Sequence, residues 1–530
     1  MGKRLVDQKN RFGIRKLSVG VCSVVVTTCF LGATTSYAEE QAENSEPREE
    51  RVETSNAGDQ GKEEKTVNEH QEESEHASVA TSEKENRTAS QGTEATQPAT
   101  SLDEETEIAD YGPLPSKAQM QYHREELAAF IHFGMNTYYD REWGDGQEDP
   151  YYFYPEHLDT DQWIKTLKDA GFKRTIMVVK HHDGFLLYPS KYTDHTIAKS
   201  GWKDGKGDVL AEVSASASKY DMDMGVYLSP WDAHSPLYHV DTEDQYNEYY
   251  LNKLKEILED PKYGNKGKFV EVWMVGARGD GAQKVTYTFD KWFEAIRKAQ
   301  GDIAIFSAEP TNVRWIGNEK GIAGDPVWQK VNPDKIRNNP SNSYLNHGDP
   351  EGKQYSVGEA DVSIRSGWFY HDNQEPKSLR ELMDIYFKSV GRGTPLLLNI
   401  PPNQDGKFAD ADVARLKEFR QTLDQLYSVN YAAGALVEAD STRRNPLYKA
   451  SHLTDGDEKT SWAPADDAKT GSFILDLGKE QHFDVVELKE TIEKGQRISG
   501  FTIDVAVNGQ WVPFGAGSTV GYRRLIKGQP

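Results

Sequence analysis

Thr175-Ile-Met-Val-Val-Lys180 is an unbroken run that stops at His181-His182-Asp183-Gly184-Phe185. A short run so rich in Val and Ile reads as a strand buried on both faces. A helical pattern over 161–170 precedes it and closes at Gly171; another, over 209–219, follows it. The same unit repeats outward. Further apolar runs lie at 129–134, 224–229, 269–274, 303–307 and 395–400, and helical stretches at 244–258, 289–299, 378–390 and 410–426. This alternation predicts an α/β fold with a parallel sheet. No glycine-rich dinucleotide fingerprint follows any strand, and the length suits eight units. The expected form is therefore a (β/α)8-like TIM barrel rather than an open sheet. Two strands, near residues 325–370, have no clear pattern of their own.

The chain has 530 residues, 36% of them hydrophobic and 11% aromatic, enough for several domains. Its formal charge of −23 would be repelled by phosphate backbones, so nucleic acid is not an expected partner. Lys3, Arg4, Lys9, Arg11, Arg15 and Lys16 precede an apolar run that continues to Leu31, and Ser36-Tyr37-Ala38 offers small residues at −3 and −1. Residues 1–38 therefore read as a signal peptide cleaved after Ala38. The run is shorter than the ~20 apolar residues of a spanning helix, and no membrane-spanning segment is expected after cleavage. Both cysteines, Cys22 and Cys29, lie inside it, so the mature chain has no disulfide and no Cys chemistry. Residues 39–106 are rich in Glu, Ser, Thr and Gln with almost no apolar residues, as in a disordered acidic spacer. The barrel is expected over 107–431. From 432 to 530, short alternating runs at 472–477, 483–488 and 501–507, with a turn at Asn508-Gly509, predict an all-β jelly-roll sandwich.

Chemistry in such a barrel sits where strands end. The runs stop at His132, at His181-His182, at Tyr227-Leu-Ser-Pro-Trp231, at Trp273-Met-Val275 and before Arg314-Trp315-Ile-Gly-Asn-Glu319. Polar groups beside aromatic faces suit a sugar ring, which needs hydrogen bonds to hydroxyls and stacking on its apolar face. Three histidines could instead hold zinc. However, adjacent histidines at a strand end point in different directions, and no His-Glu-x-x-His helix is present. Neither a metal nor a cofactor is expected.

Nine segments in order resemble the motifs of glycoside hydrolase family 29, the α-L-fucosidases, over about residues 108–430. They are Phe130-Ile-His-Phe-Gly, Glu142-Trp143-Gly, Ala170-Gly-Phe-Lys, Lys180-His-His-Asp-Gly-Phe, Tyr227-Leu-Ser-Pro-Trp, Glu271-Val-Trp-Met-x-Gly-Ala, Trp315-Ile-Gly-Asn-Glu319, Ser363-Ile-Arg-x-Gly-Trp-Phe-Tyr-His371 and Leu396-Leu-Leu-Asn-Ile-Pro-Pro-Asn403. The second and eighth look most like the subgroup that cleaves α-1,3 and α-1,4 fucose from Lewis-type glycans. The resemblance implies an exo-acting, retaining hydrolase with two carboxyl groups, one attacking the anomeric carbon and one serving as acid/base. It implies Glu319 as the acid/base and His132, His181, His182, Tyr227 and Trp273 as the lining of the fucose pocket. Glu142 and Trp143 would lie nearby, and Trp368 would help bind the rest of the glycan. Fucosylated host-type glycans or glycoproteins are the implied partners.

One position departs from the family. Its aspartate nucleophile is replaced by Val275, whose side chain has no lone pair to form an ester. Glu271 and Asp280 are the nearest carboxylates in sequence, Glu271 about two side-chain layers lower in the barrel. A fucose-binding pseudoenzyme or adhesin is therefore the alternative. Another barrel glycosidase acting on a different sugar is a third possibility, against which the ordered His and Trp motifs argue. The segment 12–20 resembles the YSIRK-type signals of Gram-positive surface proteins, implying export to the cell surface or wall, although no Leu-Pro-x-Thr-Gly sorting motif is present. Leu453-Thr-Asp-Gly-Asp-x-x-Thr-Ser-Trp462 and Phe473-Ile-Leu-Asp-Leu-Gly478 resemble a discoidin-type, family 32 carbohydrate-binding sandwich, expected to be truncated here and to expose sheet edges.

Overall fold

The computed structural model describes residues 11–18, 22–27, 106–238, 242–275, 285–466 and 468–528. The spacer over 39–105, the cleavage site and Asp280 lie outside these residues. Eight parallel strands close into a barrel: β1 (Leu127–Ile131), β2 (Arg174–Lys180), β3 (Asp223–Leu228), β4 (Glu271–Trp273), β5 (Ala304–Phe306), β6 (Val313–Trp315), β7 (Val357–Ser363) and β8 (Leu396–Asn399). Each pairs with the next, and β8 returns to β1 with Leu396 opposite Leu127. The expected TIM-like architecture is thus present.

Side-chain alternation builds two layers from each strand. Phe130, Ile176, Val178, Tyr227, Trp273, Phe306 and Leu397 fill the interior. Ile131, Met177, Val179, Val226, Val272, Ile305 and Leu398 face the helices. The helices begin and end on local chemistry. Asp159 accepts the backbone N–H of Gln162 at 2.9 Å to cap Thr160–Asp169, and Gly171 (φ 89°) turns the chain away after it. Asp208 caps Val209–Tyr220 in the same way, and Ser378 with Glu381 forms a capping box for Leu379–Lys388.

The 325–370 stretch without a clear sequence pattern holds one barrel strand, β7; β6 lies ahead of it and shows no strand pattern either. β6 follows β5 without an intervening helix and has only three residues. β7 carries Glu359 and Asp361, spaced by two and both turned inward, which breaks the apolar run.

Glu271 lies at the floor of the barrel. Its carboxylate is 2.9 Å from Arg174 Nη1, and Arg174 Nε is 2.7 Å from Glu125. All three side chains are nearly or fully buried, so Glu271 balances charge far below the mouth. Replacing Arg174 by Met leaves two buried carboxylates unpaired. We expect a loss of about 3–5 kcal/mol, read from chemical denaturation, because breaking a buried pair strands its partner.

The C-terminal region is a sandwich around Trp462, Phe473, Leu475, Leu488, Phe501 and Ile503. Trp462 is fully buried, edge-on to Phe473 at 5.4 Å, and its indole N–H donates to Ser441 O at 3.1 Å. Two strands from the N-terminal segment read above as a signal complete its sheets. Arg11–Ser18 lies between Thr470–Asp476 and Phe501–Val507, and Cys22–Thr27 pairs with Val485–Glu490. In the uncleaved chain, these sandwich edges are therefore paired. The sandwich docks at the barrel floor, away from the mouth. Arg523 bridges Glu126, the residue before β1, at 2.5 Å, and pairs with Glu487. Gln329 N–H donates to Gln496 Oε1 at 2.7 Å.

Candidate active site

At the C-terminal ends of β1, β2, β3, β4 and β8, aromatic and imidazole rings converge. His132 follows β1, and its Nδ1 lies 2.8 Å from Oδ1 of Asn399, the last residue of β8. Asn399 Nδ2 donates to Ser363 Oγ at 2.9 Å and to Trp368 O at 2.7 Å, so its oxygen is the end facing His132. His132 is therefore protonated on Nδ1, and its Nε2 carries a lone pair. Burial lowers its pKa to about 4, although Asn399 pulls the other way.

His181 and His182 follow β2 with ring centroids 4.1 Å apart, and His181 is 5.7 Å from His132. His182 Nδ1 is 2.7 Å from Ser229 Oγ, and its ring stacks on Trp231 at 4.5 Å. Burial lowers the pKa of His182 to about 3, helped by Lys180 and His132. Burial also holds His181 well below its ordinary value, with His182, His132 and Lys180 adding to the effect. All three rings are thus neutral near pH 7. Each offers a donor or a lone pair to a sugar hydroxyl without placing positive charge in the pocket.

The neighbouring wall is aromatic. Trp273 stacks on Phe306 at 3.9 Å and meets Tyr227 at 4.8 Å. Its indole N–H donates to Glu359 Oε1 at 2.7 Å. Beside it opens a cavity of about 340 Å³ lined by Trp273, Val275, Phe306, Trp315, Glu319 and Asp361, among others. Val275 is half-buried and packs against the barrel interior. Glu319 accepts the Trp368 indole N–H at 3.2 Å. Burial raises the Glu319 pKa, Trp368 opposes the shift, and the nearby Glu142 charge adds to it. Trp368 lies 5.1 Å from the His132 ring and so spans from the histidines to Glu319.

Eight of the residues expected in the site converge here: His132, His181, His182, Tyr227, Trp273, Val275, Glu319 and Trp368. Two stand apart. Trp143 is 59% exposed at the rim, 6.4 Å from Trp231. Glu142 does not offer its carboxylate to the pocket: it accepts the backbone N–H groups of Trp368 at 2.8 Å and Phe369 at 3.3 Å, and lies 2.6 Å from His371 Nε2. Its oxygens are committed to the turn at residues 367–369 and to His371.

Sequence reasoning missed Asn399, Trp231 and Asp361. Asn399 and Trp231 stand at strand ends inside motifs already noted, so the strand-end rule could have found them. Asp361 accepts the Trp315 indole N–H at 3.0 Å; burial, with Glu319 as a neighbouring like charge, raises its pKa well above the carboxylate range. Its signal was the two-residue spacing from Glu359 on a strand otherwise apolar.

Residues 103–425 match the alpha-L-fucosidase family, residues 7–32 a YSIRK type signal peptide, and residues 437–525 an F5/8 type C domain. Alpha-L-fucosidase 1 of Arabidopsis thaliana is 40% identical over 420 residues, 78% of this chain and 82% of that protein. A crystal structure of SpGH29 is 59% identical, covering 80% of this chain and 93% of that chain, with a TM-score of 0.78. The Ruminococcus gnavus GH29 fucosidase E1_10125, solved in complex with fucose, is 41% identical with a TM-score of 0.76, covering 81% of this chain and 92% of that chain.

Proposed function

The chain belongs to the α-L-fucosidases of glycoside hydrolase family 29, and from that premise we propose a site built to cleave terminal α-1,3/1,4-linked fucose from Lewis-type glycans, with Glu319 as acid/base and Val275 where a nucleophile would stand. The observation that carries this is the Trp368 N–H···Glu319 contact at the edge of the cavity that Val275 shares. A carboxyl whose pKa is raised by partial desolvation is held there beside a ring of neutral histidines.

In this arrangement Glu319 gives its proton to the glycosidic oxygen as the C1–O bond breaks. Positive charge then develops at C1 and the ring oxygen. Neutral histidines bind the hydroxyls without opposing that charge. The methyl groups of Val275 cannot close on C1, so no covalent fucosyl-enzyme forms through that position. Asp361 faces the same cavity, but burial and the neighbouring Glu319 charge disfavour its ionised form, and the Trp315 indole N–H already occupies one of its oxygens. Glu271 is held by Arg174 at the floor. Val275 therefore favours a second reading, a fucose-binding protein with little turnover.

Both readings need the pocket. L-Fucose binding to the unmodified chain, followed by calorimetry, should be saturable. His181→Ala should weaken it by about 2- to 13-fold, the worth of one neutral hydrogen bond of about 0.5–1.5 kcal/mol. Absence of saturable binding would remove both.

The YSIRK-type signal suggests secretion from a Gram-positive bacterium. We place the exported chain at the cell surface, acting on host-type fucosylated glycans. We also assign residues 1–38 to the signal, 39–106 to a spacer, 107–431 to the barrel and 432–530 to the sandwich. No described helix is long and apolar enough to cross a membrane. Because the sandwich docks at the barrel floor, its part in this function is to support the barrel.

A further inference from the structure

A line of contacts outside the sugar pocket runs from the protein surface to Glu319. Asp140 follows the short helix Met135–Tyr139 in left-handed backbone (φ 50°), and its Oδ1 lies 2.5 Å from His371 Nδ1. The other ring nitrogen, Nε2, lies 2.6 Å from Glu142 Oε1. Glu142 in turn accepts the backbone N–H groups of Trp368 and Phe369. The turn is pressed against this carboxylate: a Cβ on Gly367 would stand 2.3 Å from Glu142 Oε1 and 3.1 Å from His371 Cδ2. Beyond the turn, the Trp368 carbonyl is fixed by Asn399 and its indole N–H reaches Glu319.

A neutral imidazole has one donor and one lone pair, whereas ionised carboxylates only accept. With a carboxylate oxygen at hydrogen-bond distance from each ring nitrogen, a neutral His371 would set a lone pair against one of them. Only the imidazolium satisfies both. We propose that His371 is a positioning residue: as an imidazolium bridging Asp140 and Glu142, it locks the turn at residues 367–369 and so fixes the Trp368 indole on Glu319.

The charged groups facing the ring are Asp140 and Glu142. Arg141, between them in the chain, turns instead to Glu148 at 3.2 Å and Asp145 at 3.8 Å, and Glu319 lies on the far side of Trp368. Burial opposes the charge on His371, but the hydrogen bonds to Asp140 and Glu142 outweigh it and raise its pKa above the ordinary histidine value. The lock is thus closed below the raised pKa and released as pH rises through it. Its catalytic consequence rests on Glu319 being the acid/base; the contact itself does not.

The test reads the contact directly. In full-length protein labelled with ¹⁵N-tryptophan, the Trp368 backbone amide and indole signals are assigned by their loss in Trp368→Phe. They are then followed against pH in Glu319→Gln protein, so that titration of Glu319 does not contribute. Both signals should shift together in one transition above pH ~6.5, the ordinary histidine pKa. Asp140→Asn, at an exposed position, should move that transition down by about one unit, because it removes one of the two neighbouring charges. His371→Gln should abolish the transition while the other indole signals stay in place. Trp368 signals that do not titrate in Glu319→Gln protein, a transition unmoved by Asp140→Asn, or one that persists in His371→Gln would each overturn the proposal. None of these outcomes depends on whether the chain turns over substrate.

Discussion

Val275→Asp is expected to raise the rate of fucose release over the unmodified chain by a factor on the order of 10⁶. Loss of a nucleophile costs about that much in a serine protease, equivalent to roughly 8 kcal/mol of barrier. The site is prepared for such a gain. Val275 is half-buried at a cavity of about 340 Å³, so a carboxylate there has room to project from the strand end toward a sugar ring. Trp273, the last residue of β4 and two residues before it, is locked by Phe306 and Glu359, which fixes the local backbone direction. The neutral histidines opposite would not neutralise the new carboxylate by ion pairing, leaving its lone pairs for C1. Initial rates on an aryl fucoside and on a Lewis-type trisaccharide measure the effect. A rate for Val275→Asp equal to that of the unmodified chain would mean that position 275 is not where the missing group belongs.

The second large effect is at Glu319. In the Val275→Asp background, Glu319→Gln should lower the rate on the trisaccharide by about 10²–10⁴-fold, the usual worth of general acid–base catalysis. The loss should be smaller on an aryl fucoside whose leaving group needs no proton. Burial raises the Glu319 pKa, and the sign of the pH dependence follows. The acid form persists to higher pH than in an unperturbed glutamate, and activity falls as pH rises through the raised value. Glu319→Gln should remove that basic limb along with the rate. A basic limb unchanged by the substitution would assign the proton to another group.

Much of the barrel was legible because β1, β2, β3 and β8 are covered on both faces and therefore read as unbroken apolar runs. β6 and β7 were not. Val313–Trp315 is too short to leave a period, and Glu359 and Asp361 disguise β7 because their carboxyl groups are satisfied only by distant partners: Tyr122 and Trp273 for the first, Trp315 for the second. Their two-residue spacing places both on one face of the strand, but it does not say that this face turns into a barrel.

The site was legible to the same depth. His132, His181, His182, Tyr227 and Trp273 stand at or just beyond strand ends, where a barrel's architecture places chemistry. Glu142 was harder, since the use of its oxygens is decided by a turn 226 residues away in sequence, at Trp368. His371 shows its role only once Asp140 and Glu142 are seen on opposite sides of its ring. The pairing of Arg11–Ser18 and Cys22–Thr27 with the C-terminal sandwich was equally hidden. A β-branched apolar run suits a signal and a strand alike.

The most direct test compares fucose release from a Lewis-type trisaccharide by three proteins: the unmodified chain, Val275→Asp, and Val275→Asp with Glu319→Gln. The account predicts little or no release by the first, rapid release by the second, and loss of that release in the third. Turnover by the unmodified chain at a rate comparable to Val275→Asp would contradict it, and would direct attention to Asp280, Asp361 or Glu271 as the group that attacks C1.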